Sequence, residues 1–307
     1  MKFGIGIIPH DNLDNLIASA KLAEDAGFEF LWISDYPNCN LYEILDAIAK
    51  ETESIKIGPG VTNPYIRKPQ TSAFEIMNIN ASSFNRAVFG IGPGNKDQAE
   101  ELGKSWEKPI ATLKESLASI SNSFKQEKDQ NIPIYIGAQS PKLLEIAGEI
   151  ADGALINASH PSDYEYLIKY VETGINNAEK DIHDFDIAAY TATSIGCDLE
   201  SAKNAAKIMV AFIIAGASPA LLERHDIPQK ISREIYFSIS TGNVGGAVGL
   251  IDDELLDIFS VTGTQDEIIE KIKTLKKSGV TQYVAGPPLG QDTNTSIKLM
   301  GDVISSF

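Results

Sequence analysis

The stretch best suited to chemistry is a loop, Gly58-Pro59-Gly60-Val61-Thr62-Asn63-Pro64-Tyr65, which follows the short run Ile55-Lys56-Ile57. Two prolines preset φ and two glycines reach conformations closed to other residues, so the loop is stiff yet can bring bare backbone close to a bound group. Val61, Thr62 and Asn63 keep free amide donors there. Taken alone, the stretch reads as an ordinary strand-to-helix turn. It has company in Gly92-Pro93-Gly94-Asn95, Gly137-Ala138-Gln139, Asn157-Ala158-Ser159 and Gly286-Pro287-Pro288. Loops rich in Gly and Pro and poor in reactive side chains suit a large planar ligand held by backbone.

Ionisable groups are sparse around these loops. Asp35 follows the apolar run Phe30-Leu31-Trp32-Ile33, and His10 stands beside Pro9 and Asp11 after the first strand-like segment. Both are candidates for substrate contact, His10 as an acid or base. The other histidines, His160, His183 and His225, are scattered and form no metal-ligand spacing. The Ser140-Pro141 pair suits an N-cap followed by proline, a helix start that could bind phosphate or serve as a plain cap. A dinucleotide reading of Gly4-Ile5-Gly6 fails because Pro9 stands where Gly or Ala is required, and the first helix starts only near Asn12.

The elements that would position these residues alternate. Strand-like runs at 3–8, 30–33, 55–57, 87–91, 134–136, 154–156, 185–195 and 283–285 are separated by segments of helical periodicity. Helices are expected over 12–26, 41–50, 71–83, 163–179 and 264–277. Continuous apolar strands alternating with helices imply a parallel sheet covered on both faces, and closure gives a (β/α)8 TIM barrel. We expect one domain over residues 1–307, with a mostly helical insertion over about 196–262 before the last strand. The ligand loops would then share the C-terminal rim, where barrel enzymes carry their sites.

Composition narrows the partners. With 26 Lys and Arg against 42 Asp and Glu, the net charge of −16 disfavours nucleic acid and anionic membranes. The longest apolar stretch, Ile208 to Ala217, falls short of the ~20 residues that span a bilayer. It reads as a buried helix or a subunit contact. Cys39 and Cys197 are far apart and without CxxC spacing, which points to a reducing cytoplasm and against a disulfide framework or a zinc site.

The loops named above, together with Gly90-Ile91-Gly92-Pro93-Gly94, Asp152-Gly153-Ala154-Leu155-Ile156-Asn157-Ala158-Ser159 and Gly279-Val280-Thr281-Gln282-Tyr283-Val284-Ala285-Gly286, resemble the deazaflavin-dependent methylenetetrahydromethanopterin reductases, a family of the bacterial-luciferase-like superfamily. The likeness runs nearly end to end, through Ala188-Ala189-Tyr190-Thr191 and Glu223-Arg224-His225. It implies a barrel that binds coenzyme F420 and transfers a hydride to a methylene-tetrahydropterin. FMN with another substrate, or a non-catalytic cofactor-binding protein, is the alternative.

The resemblance further implies a non-prolyl cis peptide at Gly60-Val61. Gly60, Val61, Thr62, Asn63, Gly92, Pro93, Gly94, Ala138, Gln139 and Asn157 would hold the cofactor, and a homo-oligomer, dimer or tetramer, is expected. Two positions depart from the family. Its first-strand glutamate, taken as the proton source, is Gly6 here, and its Asp-His pair after the second strand reads Asp35-Tyr36. Asp35, Tyr36 or His10 would then replace the missing acid, with Asp35 favoured.

Overall fold

Every strand pairing is parallel, and each apolar strand run ends where a loop turns back into a helix. The structure, a computed structural model, describes residues 1–126 and 130–307. Its strands are β1 (Lys2–Ile7), β2 (Phe30–Ile33), β3 (Lys56–Pro59), β4 (Phe89–Ile91), β5 (Ile134–Gly137), β6 (Gly153–Ile156), β7 (Asp186–Ile195), β8 (Val261–Gly263) and β9 (Gln282–Leu289). They run β3-β2-β1-β9-β7-β6-β5-β4 around the sheet. The ring closes between β3 and β4, where Ile57 bridges Ala87 and Thr62 bridges Ile91.

Between those two bridges the chain leaves the ladder. The amide of Val88 donates to the Ile57 carbonyl at 2.9 Å, and the next contact is from Thr62 to the Gly90 carbonyl at 3.1 Å. Residues 58–61 therefore form a bulge, and the Gly60–Val61 peptide is cis, as the family likeness implies. Glycine is required opposite it: a Cβ on Gly90 would lie 2.2 Å from the Pro59 carbonyl oxygen. A bulge at a barrel rim re-aims the chain next to a site.

Helices α1 (Leu13–Asp25), α2 (Leu41–Glu51), α3 (Pro69–Ser82), α4 (Lys96–Glu101), α5 (Pro109–Gln126), α6 (Pro141–Ile150) and α7 (Pro161–Asn177) follow β1 to β6 in turn, α4 and α5 both coming after β4. Their starts obey capping chemistry: the Asn12 side chain accepts from the Asn15 amide at 2.9 Å at the head of α1. Inside the barrel, Phe30, Trp32, Val88, Tyr135, Leu155, Ala188 and Val284 form a floor, with the Trp32 and Tyr135 rings 5.0 Å apart. A larger apolar layer, including Ile5, Leu31, Leu45, Ile76 and Ile146, seals strands to helices.

β7 is longer than the barrel is tall. Its first half pairs with β6, and its end pairs with β8, which lies off the ring. This ninth strand was not expected from the sequence, because Val-Thr-Gly is too short to show a period. Between β7 and β8 come α8 (Leu199–Ala215), α9 (Pro219–Arg224), α10 (Gln229–Ser240), α11 (Val244–Gly249) and α12 (Asp253–Phe259), a helical stretch where the insertion was expected. These helices bury their own apolar cluster, with Val210, Ile214, Leu222, Ile235 and Leu256 at its centre. The chain ends with α13 (Gln265–Lys277), β9 and α14 (Thr293–Ile304), the last of which the sequence reading had not marked. Among the described residues, no helix is long and apolar enough to cross a membrane.

Candidate active site

A cleft of about 1010 Å³ opens at the C-terminal ends of the strands. The predicted loops meet there. Gly60, Val61, Asn63, Gly92, Pro93, Gly94, Ala138, Gln139 and Asn157 all line it, as do His10, Asp35 and Tyr36. Thr62, the remaining residue of that loop expected at the cofactor, stands behind the lining. Its backbone is spent on the bridge to β4, and its hydroxyl donates to Asp35 Oδ2 at 2.6 Å.

The bulge side chain Val61 forms a shelf on one wall. Cβ atoms built on Gly92 and Gly137 would each stand 3.0 Å from Val61 Cγ2, so these glycines let Val61 nest between the loops after β4 and β5. Gly94 adopts φ +74°, which frees the loop to pass close to Asn63. Asn63 holds its own loop together: Oδ1 accepts from the amides of Tyr65 and Ile66 at 3.0 and 3.1 Å, and Nδ2 donates to Gln98 at 3.0 Å. Gln139 donates to the Asn157 carbonyl at 3.3 Å, joining the loops after β5 and β6.

Asp35 is tied down by a residue that the sequence reading missed. Arg67 donates through Nε to Oδ2 at 3.0 Å and through Nη2 to Oδ1 at 2.9 Å, and Nη2 also reaches the Cys39 carbonyl at 2.6 Å. Burial alone would lower the Arg67 pKa, but the bonds to Asp35 outweigh it and hold the pKa above the usual value. The signal was faint: an arginine two residues after Pro64-Tyr65, with nothing in the sequence to aim it at β2.

His10 and Tyr36 stack at the mouth with ring centroids 6.0 Å apart. Burial pushes the Tyr36 phenol up, with Cys39 adding to the shift. The lining is completed by Tyr190, Thr191 and Ala192 of β7 and by Met209, Phe212 and Ile213 of α8. None of these six was foreseen. β7 reads as a uniform apolar strand whose inward phase is not visible, and α8 belongs to the insertion, whose docking no local pattern reveals. The apolar 208–217 stretch was expected to be buried or in a subunit contact. It buries Val210, Ala211 and Ile214, as expected, and in addition turns Phe212 toward the cleft.

Beside the cleft a second hollow of about 580 Å³ runs beneath the insertion. There Asp163 accepts from Arg224 Nη1 at 2.5 Å and faces His225 Nε2 at 3.0 Å, pinning α9 to the head of α7.

A family model of luciferase-like monooxygenases matches residues 1–282. The chain belongs to that family. Within it, this luciferase-like chain is 43% identical to a 5,10-methylenetetrahydromethanopterin reductase of Archaeoglobus fulgidus, over 99% of this chain and 98% of the relative. It is 42% identical to the reductase of Methanolobus tindarius, over 99% of both. Among solved structures, the coenzyme F420-dependent tetrahydromethanopterin reductase of Methanopyrus kandleri superposes with a TM-score of 0.93 at 36% identity, covering 100% of this chain and 99% of the other.

Proposed function

We propose that this chain is an F420-dependent 5,10-methylenetetrahydromethanopterin reductase, an oxidoreductase acting on a one-carbon-carrying pterin. The observation that carries this reading is the glycine-lined shelf around Val61, set in a chain that matches reductases over its whole length. The residues present fit a deazaflavin. Its flat ring would rest on Val61 with the bare loops Gly92 to Gly94 and Ala138 around it. Asn157 and Gln139 offer neutral polar contacts, and the unpaired amides at the start of α6, behind Ser140, suit a phosphate.

When bound, the reduced deazaflavin supplies the hydride. The protein's part is placement, since transfer requires donor carbon and acceptor carbon at near contact. Met209, Phe212 and Ile213 cover the cleft with apolar surface, which limits water around the reacting carbons. The Asp35–Arg67 pair adds no net charge to the wall, so a neutral ring meets no uncompensated ion there. The free thiols of Cys39 and Cys197 support a reducing cytoplasm as the compartment.

The test is an anaerobic assay of reduced F420 with methylenetetrahydromethanopterin, following the absorbance of the oxidised cofactor. Turnover at an ordinary enzymatic rate is expected. Bound cofactor with no turnover would remove the pterin assignment, and preferential binding of FMN would remove the deazaflavin.

A further inference from the structure

Opening a methylene bridge between two nitrogens needs a proton on the nitrogen that leaves, and the cleft has few groups able to give one. Both Asp35 oxygens already accept hydrogen bonds. His10 and Tyr36 lie at the exposed mouth. Tyr190 differs from all three. Its ring lies across β9 and ends on β1: a Cβ built on Gly286 would stand 2.7 Å from Tyr190 Cε1, and one built on Gly6 only 2.0 Å from Tyr190 Oη. Two glycines thus make a slot for this ring, and the hydroxyl occupies the space that a side chain at position 6 would take. Among the strands of the ring, β7 stands opposite β3, the strand that carries the Val61 shelf. A flat ring resting on Val61 therefore leaves the Tyr190 side of the cleft for the substrate.

We propose that Tyr190 is the proton donor of the reaction, its Oη–H hydrogen-bonding the leaving nitrogen from the slot over Gly6 and Gly286. This deepens the reductase reading and rests on it. The hydride carries its electron pair to the methylene carbon. The bond from that carbon to the leaving nitrogen breaks with its pair kept on nitrogen, and the nitrogen takes the Tyr190 proton. A proton from water, passed by the adjacent Ser34 hydroxyl, restores the phenol. The reduced cofactor, giving up two hydrogens as one hydride and one proton, would return to solvent the proton that balances this uptake. Burial raises the Tyr190 pKa, partly offset by the nearby Ser34 side chain, so the phenol stays in its donor form at neutral pH and yields its proton only as the nitrogen becomes basic.

The experiment compares wild type, Tyr190→Phe, Tyr190→Ala and the double variant Gly6→Glu/Tyr190→Ala for kcat, KM for the pterin, and F420 affinity by fluorescence. Tyr190→Phe keeps the ring in its slot and removes only the proton. It should lower kcat by ~10²-fold or more, the usual size of a general-acid contribution, with KM and F420 affinity within about twofold of wild type. The double variant places a carboxyl in the vacated slot and should recover at least about tenfold in kcat over Tyr190→Ala. A Tyr190→Phe enzyme within about threefold of wild type, a loss confined to KM or F420 affinity, or a double variant no faster than Tyr190→Ala would each overturn the proposal. A wild type that binds F420 without reducing the pterin would instead overturn the reductase reading, and this inference with it.

Discussion

Each carboxylate oxygen of Asp35 already accepts a hydrogen bond, Oδ2 from Thr62 and Arg67, Oδ1 from Arg67. That changes the task this residue can perform. A carboxylate with both oxygens engaged by its own protein is a good strut, here linking the end of β2 to the loop after β3. Asp35→Asn should leave Arg67 partly buried without its counter-charge, at a cost on the order of 3 kcal/mol. The melting temperature should fall and F420 affinity with it, while kcat at saturating cofactor changes little. A large kcat loss at unchanged stability would return Asp35 to the role of acid. The sequence did place Asp35 correctly on the rim, because its position after an apolar strand is a local fact. The Arg67 partner and the Tyr190 slot are not local: one joins residues 32 apart, and the other joins β7 to glycines on β1 and β9.

Elements were legible where they are long and periodic. Expected helices over 41–50 and 264–277 appear as Leu41–Glu51 and Gln265–Lys277, since apolar spacing runs through each segment and a Thr264–Glu267 capping box starts the second. β8 was lost because its stability comes from lying against β7, not from its own three residues. The docking of α9 on α7 was likewise invisible, and it carries a pH dependence. His160 caps α7 by accepting from the Ser162 amide at 3.3 Å through Nδ1, which a protonated ring cannot do. Burial lowers the His160 pKa below 6.5, and the neighbouring His225 lowers it further, against opposing pulls from Asp163, Asp257 and Glu165. Between that lowered value and 6.5 the unfolded chain holds a proton that the folded chain lacks, so stability falls as pH drops through this window. Melting temperatures should decline from pH 7.5 to 5.5 in wild type. His160→Asn keeps a capping side chain that does not titrate, and should show a shallower slope. Equal slopes would mean that other groups set the dependence.

At the scale of the whole molecule, the net charge of −16 coexists with an apolar face on the insertion. Tyr236 and Phe237 on α10 are 58% and 67% exposed, and Leu250 just after α11 is 40% exposed. Large exposed apolar side chains rimmed by charged ones, here Lys230, Arg233 and Glu234, are typical of a contact between proteins. A second copy of this chain is the simplest occupant, because a two-fold contact sets the same aromatic patch against itself and lets the acidic surfaces point away. The family likeness also implied a dimer or tetramer. Light scattering at micromolar concentration should therefore give at least twice the 33.2 kDa of the chain. Phe237→Glu should shift that mass toward the monomer, since two buried charges would face each other across the axis. The residue lies on the outer surface of α10 and contributes nothing to the cleft lining, so F420 affinity should survive the change. A wild-type mass equal to one chain would show that the aromatic face stays in water, and would leave the insertion held by its own buried cluster alone.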